Sequence, residues 1–182
     1  MTYPAPGLQA LLVLLVSVAA LYDLRQRRIP NWLSAAGLLL GFAMNTFLFE
    51  SAGFWTSLEG AALALVVYVP LFALRAMGAG DAKLMAAVGS ITGPMNWIGV
   101  MILTALCGGV LAVLLVLGKG RVRHTLQNLK LILTSWRFHH MPYNLSPELD
   151  VGSEKALRLP HAVSILLGTV SFLVAAAIWA PR

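Results

Sequence analysis

Six apolar runs divide this chain, at residues 8–22, 33–49, 58–74, 84–92, 95–117 and 161–180, and they leave few folds open to it. A bilayer helix needs about 20 apolar residues, and most of the runs reach or approach that length. With 59% hydrophobic and only 11% charged side chains among 182 residues, the chain is too apolar for a soluble domain. It therefore reads as an all-α, polytopic membrane protein of about six transmembrane helices, in a single membrane-embedded domain spanning residues 1–182. The run 84–92 is the short one: at ~1.5 Å per residue it covers about 14 Å, or about 18 Å if its helix begins at Asp81. Residues 1–7 hold no lysine or arginine, so the charged n-region of a cleavable signal is missing and the first run is expected to stay as a helix.

Basic residues collect in cytoplasmic loops of membrane proteins, and their placement orients the chain. If all six runs cross with the N-terminus outside, Arg25, Arg27, Arg28, Arg75, Lys83 and the seven basic residues from Lys119 to Arg158 are cytoplasmic. Twelve of the thirteen then obey the rule, and only Arg182 does not. A re-entrant run 84–92 would instead carry Lys119, Arg121, Arg123 and the basic loop outside, so six crossings with one short helix are expected. Glu50, Ser51, Gly53 and Glu59 fall in one outer loop, and Gly93-Pro94 makes a tight outer turn. The long polar segment, about residues 118–159, is the cytosolic loop. Within it Val122, Leu126, Leu129, Leu133 and Trp136 alternate with Arg121, Arg123, Lys130 and Arg137. That is the pattern of a basic amphipathic helix, lying on the inner leaflet or packed on neighbouring cytosolic loops.

Other function classes lack their signatures. The net charge of +6 is accounted for by cytoplasmic loops, and no basic stripe with interleaved aromatics forms a nucleic-acid surface. A single cysteine, Cys107, excludes an internal disulfide and a multi-cysteine zinc site. His139-His140 has no third ligand at metal spacing and reads as a solvated loop pair. Ser17, Ser34, Ser164 and Ser171 are not accompanied by the histidine and acid of a triad. No metal or cofactor is implied.

What remains is a pair of carboxylates. Only seven acidic residues are present, and Asp23 and Asp81 both stand where an apolar run meets a basic stretch. An ionisable group beside lipid costs several kcal/mol unless it is paired or useful. Each has a plain structural reading. Asp81, after Gly78 and Gly80 and before an apolar run, is placed to cap a helix N-terminus, and Asp23 beside Arg25, Arg27 and Arg28 can form a surface ion pair. The topology, however, sets Asp23 at the inner end of the first helix and Asp81 at the inner start of the fourth. Two carboxyl groups sharing one proton can hydrolyse an amide, one activating water and the other protonating the carbonyl oxygen.

Tyr22-Asp23-Leu24-Arg25, then Ile29-Pro30-Asn31-Trp32-Leu33, then Gly78-Ala79-Gly80-Asp81-Ala82-Lys83-Leu84 together resemble the type IV prepilin peptidase family of GxGD membrane aspartyl proteases. The likeness extends to Leu159-Pro160-His161-Ala162, where that family tends to carry a proline, an aromatic and a small residue; His161 departs from the aromatic. The resemblance implies that Asp23 and Asp81 are catalytic, with Gly78, Gly80, Lys83, Arg25, Pro30 and Asn31 as motif or substrate-binding support. It implies an enzyme of the bacterial inner membrane that cuts leader peptides from prepilins or pseudopilins at the cytoplasmic face. Longer members carry paired CxxC motifs associated with zinc and N-methylation. This chain has none, so methyl transfer is not implied, and the compact form is similar to the peptidases of tight-adherence (Flp) pilus systems. Two rivals remain at this point: a presenilin-like intramembrane protease, whose Pro-Ala-Leu motif is replaced here by Leu159-Pro160-His161-Ala162, and a proton-coupled transporter or assembly factor, which would want its carboxylates near the bilayer midplane.

Overall fold

A computed structural model describes residues 4–75, 77–120, 122–123, 125, 127 and 160–179. These form four α-helices and no strand: α1 (Pro6–Gln26), α2 (Asn31–Ala73), α3 (Ala79–Gly118) and α4 (His161–Trp179). All four are long and apolar enough to cross a membrane. The amphipathic helix and cytosolic loop expected up to residue 159 lie almost wholly outside the described residues.

Local chemistry sets the helix boundaries. Proline opens α1 at its first position, where a missing N–H is no loss. The helix closes at Arg27, whose left-handed backbone (φ 54°) turns its N–H onto Asp23 O at 3.0 Å. Pro30, extended at φ −63° and ψ 135°, then starts α2, and its carbonyl accepts from the Leu33 N–H at 3.1 Å. Gly78 plays the corresponding part for α3, accepting from the Asp81 N–H at 3.2 Å.

The structure corrects the count of spans. Four helices of membrane length stand where six separated runs were expected, because two reversals are made by one residue each rather than by a loop. A straight helix of 43 residues would extend about 65 Å, roughly twice the hydrocarbon thickness. Instead α2 turns back at Glu50 (φ 55°, ψ −139°), and α3 does so at Gly93 (φ 72°, ψ 170°) before Pro94. Contacts between residues far apart along each helix establish the reversals. Ser57 Oγ donates to Gly41 O at 3.4 Å, and the Trp97 indole N–H donates to Met85 O at 3.1 Å. Each long helix is thus a hairpin of two legs.

The first leg of α3 is the centre of the bundle. Every residue from 84 to 93 is buried, so this short leg meets protein on all sides and not lipid. Polar side chains lock it to α2: Asn45 Nδ2 donates to Ser90 O at 2.9 Å and Ile91 O at 3.2 Å, and Ser57 Oγ donates to Ser90 O at 2.7 Å. Gly60 and Gly89 bring the two backbones together, each standing where a Cβ would collide with the other's carbonyl. The pair Gly37 and Gly41 serves two neighbours, Leu15 of α1 and Ser90 of α3. Around this core α4 packs on α1 and α3, and the outer surface presents large apolar side chains such as Leu14, Phe47, Val66, Leu106 and Val113.

Gly60→Ala should destabilise the fold by about 1–3 kcal/mol or more, because its new methyl meets rigid backbone. Gly109→Ala, at an exposed helical site with open space around it, should be neutral or stabilising by up to about 1 kcal/mol. Thermal unfolding in detergent compares them, and equal stability would contradict the close approach of α2 and α3.

Candidate active site

The two hairpins return every loop of the described chain except the reversals to one end of the bundle. That end collects the last turn of α1, the turn 27–30, the first turns of α2, α3 and α4, and the basic residues Arg25, Arg27, Arg28, Arg75, Lys83 and Lys119.

Asp23 is buried, at 9% exposure, in the last turn of α1. Its Oδ2 accepts a hydrogen bond of 3.0 Å from the Ala162 N–H at the start of α4. The first N–H groups of a helix have no partner within it, and α4 has no acidic residue in its own first turn. A carboxylate from a distant part of the sequence therefore caps α4 and takes a partner that suits its negative charge. The partner that the structure gives the Asp23 carboxylate is thus a backbone N–H of α4.

Asp81 occupies the third position of α3 and is half-buried. Its carboxylate lies beside the Gly78 turn at the start of α3, the helix end that favours negative charge. Gly78 has no side chain where a Cβ would stand 3.3 Å from Asp81 Oδ2, and Gly80 lets Ile29 pack at the same 3.3 Å. The turn between α1 and α2 thereby rests on the start of α3. Asp23 and His161 both lie within electrostatic reach of the Asp81 carboxylate, one with like charge and the other with opposite charge when protonated. The structure brings residues 23, 81 and 161 to one locality from three helices.

The remaining motif residues are scaffold around this locality. Lys83 Nζ donates to Asn31 Oδ1 at 2.9 Å, tying the first turns of α3 and α2 together. Pro30 begins α2, and Tyr22 meets Trp32 edge to face with ring centroids 6.3 Å apart across the same turn. Arg25 is exposed in the last turn of α1, where a cation faces the negative end of the helix, and no ion pair joins it to either aspartate.

Two further residues lie within electrostatic reach of Asp81 without having been given a role from the sequence. His161 was visible only as a departure from an aromatic, without a role. Tyr68, in the second leg of α2, is buried near enough to Asp81 to feel its charge. Nothing in the local sequence marks it, since a tyrosine within an apolar run is ordinary core. The hydrogen bond to Ala162 N–H predicts that Asp23→Leu, which leaves that buried donor unpaired, is less stable than Asp23→Asn by about 1–3 kcal/mol. Melting of the two variants in detergent checks this independently of any activity.

No curated protein and no solved structure matches the chain. The model of the type IV leader peptidase family matches residues 10–113, which include both aspartates and the glycines before Asp81. That stretch is more than half of the 182 residues, and the chain belongs to the type IV leader peptidase family, a family of peptidases.

Proposed function

We propose that this protein is an aspartic endopeptidase of the bacterial inner membrane that removes leader peptides from small Flp-type prepilins or pseudopilins. The observation that carries the reading is the meeting of Asp23 and Asp81, 58 residues apart in sequence, at one end of the bundle beside its basic residues. In this reading the end of the bundle that holds the aspartates faces the cytoplasm. The leader remains in the cytosol while the apolar stem of the substrate stays among the lipids.

Catalysis follows from two carboxyl groups sharing one proton, since like charges at close quarters resist double ionisation. The ionised carboxylate takes a proton from water as its oxygen attacks the scissile carbonyl carbon. The protonated partner gives its proton to the carbonyl oxygen, leaving a tetrahedral diol. Collapse of the diol returns one hydroxyl proton to the carboxylate, re-forms the carbonyl and breaks the C–N bond, and the other carboxyl protonates the departing amine. His161 and the α3 N-terminus supply positive potential at Asp81, and Ala162 N–H fixes Asp23. Lys83, Asn31, Gly78 and Gly80 shape the approach for an extended peptide. Methyl transfer to the trimmed product is not implied.

Purified protein in detergent is incubated with a synthetic Flp-type prepilin, beside Asp23→Asn and Asp81→Asn. Each variant should stay folded and lose about 10³-fold or more in cleavage rate. Normal processing by either variant would falsify the aspartic mechanism.

A further inference from the structure

The end of the bundle opposite the aspartates is uneven, and the contacts between the legs measure by how much. A Cβ on Gly93 would collide with Thr56 Cγ2, so the α3 reversal is level with Thr56 on the second leg of α2. On the first leg, Met44 Cε lies 3.0 Å from where a Cβ of Gly7 would stand at the start of α1. The second leg of α3 and α4 run antiparallel, with Gly108 at Ser164 and Thr104 at Gly168. Trp179 lies eleven residues after Gly168 and Gly93 eleven before Thr104, so α4 finishes level with the same reversal. Glu50 is six residues from both Met44 and Thr56, which at ~1.5 Å per residue sets it about 9 Å past these three ends. The hairpin of α2 alone projects.

With 21 and 19 residues, α1 and α4 are about 30 Å long, the thickness of the hydrocarbon layer, so their ends mark its edge. The headgroup layer beyond it is about 5–8 Å deep. The projecting tip has the reach of that layer, and its surface has the matching chemistry. Phe47, Phe49, Phe54 and Trp55 are 88%, 51%, 42% and 59% exposed, whereas no lysine or arginine occurs from residue 29 to residue 74. Phe47 and Phe49, two residues apart on one leg, point about 200° apart, and Phe54 and Trp55 about 100° apart on the other. The aromatic surface thus faces several sides at once, continuous with the exposed apolar faces below it at Leu39, Leu40, Leu58 and Leu65. A protein partner covers one side, but a lipid layer surrounds. At the apex the exposed Glu50 holds φ 55° and ψ −139°, a region that glycine enters freely, as Gly93 enters positive φ at the other reversal. The carboxylate is kept there against backbone strain, where the ammonium groups of ethanolamine headgroups offer it a counter-charge.

We propose that residues 45–55, the tip of the α2 hairpin, form an aromatic anchor seated in the lipid headgroup layer of the leaflet opposite the aspartates, with Glu50 at its polar edge. The amphipathic indole of Trp55 suits that layer. The anchor fixes the depth at which the bundle rides in the membrane.

The test uses the full chain with Cys107→Ala, reconstituted in vesicles of phosphatidylethanolamine with a minor share of phosphatidylglycerol. A nitroxide is attached through Phe47→Cys, Ala52→Cys or Leu39→Cys, all at exposed positions where a label leaves the core intact. Electron paramagnetic resonance compares collision with oxygen, which concentrates in the bilayer, against collision with a water-soluble nickel chelate. The oxygen-to-chelate ratio at Phe47 and Ala52 should rise above that of the free label in water and stay below that at Leu39. A ratio equal to the free label's places the tip in water and overturns the inference. Protection from both reagents does the same, because it shows a protein or a second copy of the chain over the tip, and so does a ratio as high as at Leu39, which sinks the tip into hydrocarbon. Phe47 and Ala52 lie on different legs, so a variant that fails to fold leaves the reading to the other.

Discussion

The mismatch between helix length and membrane thickness governs this structure. Neither 43 nor 40 residues of continuous helix can stand within a hydrocarbon layer about 30 Å thick, yet lipid does not tolerate an open loop. The chain resolves this by reversing at a single residue in each case, Glu50 and Gly93, keeping nearly every backbone group within a helix. The consequence reaches the far end of the molecule. Both hairpins deliver their starts and finishes to the same side, so the first turns of α2, α3 and α4 converge on the last turn of α1.

The legibility of this arrangement in the sequence depended on how unusual each residue was in its surroundings. Asp23 and Asp81 were conspicuous because carboxylates are rare beside lipid, and the glycines before Asp81 marked a turn. The apolar runs were equally visible, but a break between 49 and 58 was expected to be a loop. Residues 51–57 are helical instead, with Thr56 Oγ1 returned to Ala52 O at 2.8 Å. A one-residue reversal leaves almost no trace in composition, since the polar groups it requires are supplied by a neighbouring leg. Gly37 and Gly41 carried a weak signal for close packing, and the structure gives them different partners, which spacing alone does not specify.

The two aspartates are stabilised by different devices. Asp81 sits at the N-terminus of its own helix, where the helix dipole favours negative charge locally. Asp23 sits at the end of a helix whose dipole points the unfavourable way, and it is rescued by the first turn of α4. One carboxylate is therefore a property of its local sequence, while the other depends on tertiary structure. This asymmetry explains why a capping explanation was natural for Asp81 and not for Asp23, whose own helix offers it no favourable end.

It follows that the orientation of the Asp23 carboxylate is held through α4. Asp23 is bonded to the backbone of α4 at Ala162, and α4 is in turn clamped to the second leg of α3: Gly168 admits Thr104 so closely that a Cβ would collide with its backbone, and Ser164 Oγ lies 3.3 Å from where a Cβ of Gly108 would stand. That leg is joined to the first by Gly93 and by the Trp97 to Met85 hydrogen bond, and the first leg carries Asp81. One path from one carboxylate to the other thus runs through α4 and both legs of α3, its steps side-chain to backbone hydrogen bonds, close packing at glycines and a covalent turn. Packed elements of this kind shift between discrete arrangements and do not stretch smoothly. A displacement of α4 would take away the Ala162 N–H that orients the Asp23 carboxylate even with α1 and α3 undisturbed, which ties the His161–Trp179 helix, although outside the residues matched by the family, to the geometry of this locality.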